Sequence, residues 1–225
     1  MPKQRGERII ERTNHTPELY TVAFGSVIDR PEVRTILDVG AGDSTFAESR
    51  SPGQCVTRVD KDYGRSAPEG GDYISCDITS GIPRDPETFD TAISSFLMQH
   101  LTPDEQAAAI VEMLRVTKKY HGEYSGVIGL YPVFNPDSLH ALIHEHGLGN
   151  EMRLERSKKL NDTIKLRKLE CETLWIANAR DPEQTVELAT MIAKTGSFYR
   201  RRKLKDWPRQ LGMRATNDPT SRVNV

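Results

Sequence analysis

Thr35-Ile-Leu-Asp38-Val-Gly40-Ala-Gly42-Asp43-Ser44 is the stretch that decides the fold. A short apolar run ends in an acidic residue and two glycines, and Ser44-Thr-Phe-Ala-Glu48 follows. The pattern predicts a buried strand, a tight turn and the start of a helix. Glycines let the backbone turn sharply and approach a ligand where a Cβ would collide, and a small Ser44 lets the helix pack near the strand. Roughly 20 residues on, Asp60 ends a second strand-like run, Cys55-Val-Thr-Arg-Val-Asp60, where a carboxylate can bind ribose hydroxyls. Asp38, directly before the loop, would repel a dinucleotide's pyrophosphate and favour an ammonium group instead.

Working outward, Thr16-Pro-Glu-Leu predicts a capped helix running to Ile28. Beyond Asp60, strands are expected at Asp72–Asp77, Thr91–Ser95 and Ser125–Tyr131, with helices between several of them. Thr102-Pro103-Asp-Glu105 supplies a cap, a first-turn proline and a capping-box glutamate for a helix ending near His121-Gly122. A further helix spans Pro136–Gly147, closed by its glycine. Then two β-prone stretches, Met152–Leu160 and Leu166–Ala179, flank Asn161-Asp162 as a hairpin at the sheet edge. Asp181-Pro-Glu starts the last helix. The expected fold is α/β: a Rossmann-like, doubly wound, mostly parallel seven-stranded sheet with an antiparallel edge hairpin and helices on both faces.

In this order of elements, the loop resembles the first motif of class I S-adenosylmethionine-dependent methyltransferases: acidic residue, any residue, Gly, any residue, Gly, any residue, then Gly or a small residue, here Ser44. The likeness runs through most of residues 33–178. It implies S-adenosyl-L-methionine as cofactor, held by Asp38, Gly40, Ala41, Gly42 and Ser44 of the loop. Asp60 then takes the ribose, Lys61 lies beside the adenine edge, and Asp77 and Ile78 meet the adenine. Phe89-Asp90-Thr-Ala-Ile-Ser94-Ser95-Phe-Leu-Met-Gln-His100-Leu resembles the strand-four motif of small-molecule methyltransferases, which places Ser94 and Ser95 at the cofactor and the end of the segment towards the reacting methyl. Lys119-Tyr-His121 stands where that family usually has a proline-glycine turn.

The 225 residues are 36% hydrophobic and 28% charged, which suits one sizeable core. One domain is expected over residues 1–212, with residues 1–32 as a helical extension or lid, 33–179 as the sheet core, 180–212 as a helix and basic segment, and 213–225 as a tail. Cys55, Cys76 and Cys171 lack CxxC spacing, so neither zinc nor a disulfide framework is expected, and a reducing cytoplasm is the natural setting. No apolar run approaches the roughly 18 residues of a membrane span. The net charge of −1 hides an asymmetry: residues 1–150 carry 14 basic and 22 acidic side chains, the remainder 17 and 10. The basic excess concentrates between Arg200 and Arg214.

Methyl transfer from a sulfonium needs nucleophile, carbon and sulfur nearly collinear, so positioning does most of the work and no covalent protein nucleophile is required. A histidine can serve as general base at neutral pH, and His100, following strand four, is the catalytic candidate. His15, Tyr20 and Tyr131 are weaker ones. His140 and His144 lie four apart on a helix, with His146 beyond, but lack HExxH order and an identifiable third ligand; a solvated helix face is the reading, and no metal is expected. Trp175 and Leu174 read as core, and Trp207 as packing for the basic tail.

The expected partner is a small-molecule acceptor, with no membrane; a homodimer is compatible with the sequence. That reading follows from a short N-terminal extension and the lack of a separate target-recognition domain. RNA or protein methylation through the basic segment is the alternative, against which the Asn/Asp-Pro-Pro-Tyr/Phe sequence of base-amino methyltransferases is replaced by Ser94-Ser95-Phe96. A non-catalytic nucleotide-binding protein of the same fold and an NAD-dependent dehydrogenase complete the alternatives, the last disfavoured by Asp38.

Overall fold

Strand-forming runs rich in Val and Ile close into one sheet ordered β3-β2-β1-β4-β5-β7-β6 in the computed structural model, which describes residues 16–42, 44–61, 72–122, 124–156 and 171–199. The strands are β1 (Thr35–Val39), β2 (Cys55–Asp60), β3 (Asp72–Ser75), β4 (Thr91–Ser95), β5 (Val127–Val133), β6 (Met152–Arg156) and β7 (Glu172–Ala177). Pairings from β3 across to β5 are parallel, while β7 runs antiparallel to both β5 and β6. The seven-stranded, mostly parallel sheet expected from the sequence is therefore present. Its one reversed strand lies between β5 and β6, and β6 forms the edge.

Four α-helices flank the sheet among the described residues: α1 (Pro17–Ile28), α2 (Pro103–Val116), α3 (Pro136–Glu145) and α4 (Pro182–Lys194). Each begins with proline, whose missing N–H costs nothing in a first turn. Thr102 Oγ1 accepts from Glu105 N while the Glu105 carboxylate accepts from Thr102 N, the reciprocal box read from the sequence. Replacing Thr102 by alanine is expected to cost about 1 kcal/mol, measurable as a lower urea midpoint at unchanged slope.

Side-chain alternation along the strands splits the core between the two faces. Ile36, Ile93 and Trp175 pack with Leu19, Phe24 and Val27 of α1. Leu37, Ala92, Leu130 and Ile176 pack with Ile110 and Met113 of α2 and Leu188 and Ile192 of α4. Fully burying each such aliphatic side chain contributes roughly 1.5–3 kcal/mol. Because strand order reverses beside β1, a crevice opens at the carboxyl ends of β1 and β4.

Several local expectations are corrected. No α-helix follows the glycine loop; the described residues there form only a 3-10 turn, Ala47–Ser49. Ser51-Pro52-Gly53 accounts for this, since a residue before proline avoids helical backbone and too few residues remain for a nucleated helix. Strand β3 stops at Ser75 because Asp77 caps a 3-10 turn at Ile78–Ser80. Strand β5 starts at Val127 and runs on to Val133, after Gly126 at φ 79°. Helix α3 ends at Glu145, with Gly147 left-handed at φ 66°. The Asn161-Asp162 turn, His15, Trp207 and the Arg200–Arg214 cluster lie outside the described residues.

Candidate functional site

Gly40 and Gly42 leave β1 with φ of 71° and 51°, the left-handed region that favours glycine. Gly40 N and Ala41 N both donate to Val59 O, which ties the turn to β2. Gly42 N donates to Asp60 Oδ2 at 3.0 Å, so the loop and the carboxylate at the end of β2 form one unit. The 3-10 turn beyond β3 brings up Asp77, whose Oδ1 accepts from Thr79 N and Oγ1. Those bonds hold the Asp77 carboxyl below its ordinary pKa. After β4, Phe96 turns left-handed at φ 61°, donates its N–H to Tyr131 O and directs the chain into the 3-10 turn Met98–His100.

These elements enclose a cavity of about 440 Å³, within the roughly 300–1,000 Å³ of small-molecule sites. Of the sequence-predicted residues, Gly40, Gly42, Asp60, Lys61, Asp77, Ile78, Ser95 and His100 line it. Ser95 Oγ is buried on its wall with no hydrogen-bond partner among the described residues, an arrangement that costs about 1–3 kcal/mol until a polar atom meets it. His100 is exposed at the rim, with its Nε2 3.2 Å from Gln99 Nε2. An amide donor there requires an unprotonated Nε2, which puts the ring proton of this arrangement on Nδ1.

Four predicted residues stand behind the wall instead. Ala41 and Ser44 are fully buried, with Ser44 N donating to Ala41 O and Ser44 Oγ accepting from Phe46 N. Ser94 Oγ donates to Val39 O and stitches β4 to β1. Asp38 is completely buried, and both its oxygens accept from the Tyr20 hydroxyl, at 3.0 and 3.1 Å. Burial pushes its carboxyl up to about 7, against the lowering influence of Tyr20, Arg58 and Ser44. Tyr20 and Tyr131 are likewise buried and do not line the cavity.

Val39, Val59, Cys76, Thr79, Phe96, Leu97, Gln99, Leu101 and Glu105 complete the lining. The strand-end apolar residues follow from the positions of Asp38 and Asp60, whereas the sequence around Glu105 signals only a helix cap. Burial, then the Asp77 and Glu112 charges, raise the Cys76 thiol pKa, so it is a protonated wall group. His140 and His144 are exposed on α3, away from this cavity, with His140 Nε2 3.5 Å from Glu172 Oε2. No cluster of three or more metal-ligating side chains occurs among the described residues, and none of their helices is long and apolar enough to cross a membrane.

No family model and no curated protein matches this chain. Solved structures do. A chain of the complex formed with the Haloferax volcanii Trm112 methyltransferase activator superposes with a TM-score of 0.53 at 10% identity, over 78% of this chain and 95% of that one. The Burkholderia thailandensis 1,6-didemethyltoxoflavin-N1-methyltransferase, with its substrate and S-adenosylhomocysteine bound, gives 0.51 at 15% identity, over 78% and 83%. At such identity the likeness is one of fold, and the fold is that of these methyltransferases.

Proposed function

We propose that the chain is an S-adenosylmethionine-dependent methyltransferase acting on a small-molecule acceptor. The carrying observation is the joining of the Gly40–Gly42 turn to Asp60 on the wall of a cavity that Ser95 and His100 also line. The residues fit the cofactor: Asp60 offers a carboxylate to ribose hydroxyls, Asp77 and Ile78 a polar and an apolar edge to a base, and the glycine turn an open approach for an amino-acid tail. Lys61 borders the base end. Ala41, Ser44 and Ser94 hold the turn's shape from behind. A dinucleotide is a poorer fit, because its pyrophosphate is normally met by the N-terminus of a helix after the glycine loop, and a three-residue 3-10 turn stands there. The S-adenosylhomocysteine and 1,6-didemethyltoxoflavin bound by the Burkholderia fold neighbour support the same reading.

Bound cofactor supplies an electrophilic methyl on sulfur. The protein's part is positioning: Ser95 Oγ can hold a polar atom of the ligand pair, and Phe96, Leu97 and Leu101 exclude water from the acceptor side. His100 Nε2 is the lone pair that takes the acceptor's proton once its contact with Gln99 is exchanged for the acceptor. RNA as acceptor is the second reading, carried by the Arg200–Arg214 charge; it predicts a steep loss of nucleic-acid binding with added salt.

Calorimetry with S-adenosylmethionine, S-adenosylhomocysteine and NADH tests the site. The first two are expected to bind and NADH not. Asp60→Ala should weaken binding by roughly 10- to 100-fold, the loss of hydrogen bonds to a charged group. Preference for NADH, or unchanged affinity in the variant, would refute the assignment.

A further inference from the structure

The acidic residue that opens the glycine loop is turned away from the cavity. Successive side chains on a strand point to opposite faces, and it is Val39, on the α2 face, that lines the cavity. Asp38 projects to the α1 face, beside Ile36 and Tyr20. There it meets a closed set of partners. The Tyr20 hydroxyl bridges its two oxygens, Ser44 lowers its pKa, and Arg58, its register partner on β2, lends a positive field. Arg58 is itself held by Ser44 O and Glu48. The Tyr20 ring lies stacked on Phe46, 4.4 Å between centroids, so the residue carrying the hydroxyl is clamped between α1 and the segment just after the loop.

We propose that Tyr20 and Asp38 form a positioning pair that fixes the glycine turn from behind, and that the cationic end of the cofactor is received without a direct ion pair to Asp38. This rests on the methyltransferase reading for the ligand, though not for the pair itself. Reaching an ammonium group would require Asp38 to leave the Tyr20 hydroxyl and the positive field of Arg58, and to cross the plane of its own strand. Staying, it anchors the residue immediately before Val39 and Gly40, whose turn is then set by Gly40 N and Ala41 N on Val59 O. Helix α1 thereby becomes a fixed wall of the loop.

The pair can be separated from an ion pair by two ligands that differ in the tail. S-adenosylhomocysteine carries the ammonium; 5′-methylthioadenosine lacks the whole amino-acid end. Measured on wild type, Asp38→Asn and Tyr20→Phe, the two affinities are expected to change by the same factor in each variant, their ratio holding within about threefold, as a cycle without coupling requires. A selective loss of S-adenosylhomocysteine binding by roughly thirtyfold or more in Asp38→Asn, with 5′-methylthioadenosine unaffected, is the mark of a broken charge pair and overturns the proposal. Amide hydrogen exchange on the unliganded protein gives the second readout. In Tyr20→Phe the Gly40 and Ala41 amides should exchange at least about tenfold faster relative to those of β5, since local opening is selective. Equal exchange at both places would also overturn the pair. Should wild type bind neither nucleoside, the methyltransferase reading fails while the exchange result still decides the role of Tyr20.

Discussion

Replacing Gly40 by valine is expected to remove measurable S-adenosylhomocysteine binding and to destabilise the protein by about 2–5 kcal/mol, from two additive sources. A side chain at φ 71° costs roughly 1–2 kcal/mol against left-handed sterics. The new Cβ would also lie 2.9 Å from Leu97 Cβ and 3.2 Å from both Leu97 Cδ atoms. Leu97 cannot yield cheaply, because its own Cβ is the nearest atom and it leads into the Met98–His100 turn. That turn is braced by Gln106 Nε2 on Met98 O and Leu101 O, and by the Tyr199 hydroxyl on Leu101 O. Strain of overpacking here is worth a further 1–3 kcal/mol or so, and it displaces the cofactor turn and the His100 turn together. Urea denaturation reads the first effect and calorimetry the second. Gly42→Ala is the internal comparison, since its Cβ would meet nothing within 4 Å; a Gly40→Val protein no worse than Gly42→Ala in both measurements would remove the Leu97 contact from the account.

What the sequence discloses and what it hides follow from the range of the interactions concerned. Thr102, Pro103 and Glu105 announce α2 because a capping box is complete within four residues. Asp60 could be placed because a strand end is marked by local pattern, and the Gly42 N–H on its carboxylate needs only two adjacent parallel strands. The sheet's order needed the alternation of strands and helices and little more. The insertion of β7 between β5 and β6 is different: it depends on Trp175 and Ile176 finding partners on both faces of the sheet, a non-local choice. The turn after the loop is hidden because Ser44-Thr-Phe-Ala-Glu48 has helical composition, while Pro52 and Gly53 govern how far a helix could run. The direction of Asp38 was the least legible feature. A glycine motif states that a carboxylate precedes the turn; which face it points to, and that a tyrosine 18 residues earlier bonds it, are set by the packing of α1.

That buried carboxylate carries the largest pH dependence expected among the described residues. Asp38 is raised from 3.8 to about 7, with burial as the leading cause. A raised acid binds its proton more tightly folded than unfolded, so stability from this group is greatest below pH 4, falls as pH rises from about 4 to 7, and is flat above. The span of about three pH units corresponds to at most about 4 kcal/mol. Asp90 and Glu112 act in the opposite sense, their depressed pKa values withdrawing stability as the solution is acidified, so the wild-type curve alone mixes the two. The difference between wild type and Asp38→Asn isolates the group. Asparagine keeps an oxygen for the Tyr20 hydroxyl and carries no charge to desolvate. Among the neighbouring charges, Arg58 retains Glu48, and Asp60 loses a like-charged neighbour. The variant should therefore match or trail wild type at pH 4.5 and exceed it by up to about 3 kcal/mol at pH 8, read from urea midpoints across that range. A stability difference constant with pH would mean that Asp38 is not protonated in the folded protein near neutrality; one that grows in wild type's favour as pH rises would mean that Tyr20 and Arg58 outweigh its burial.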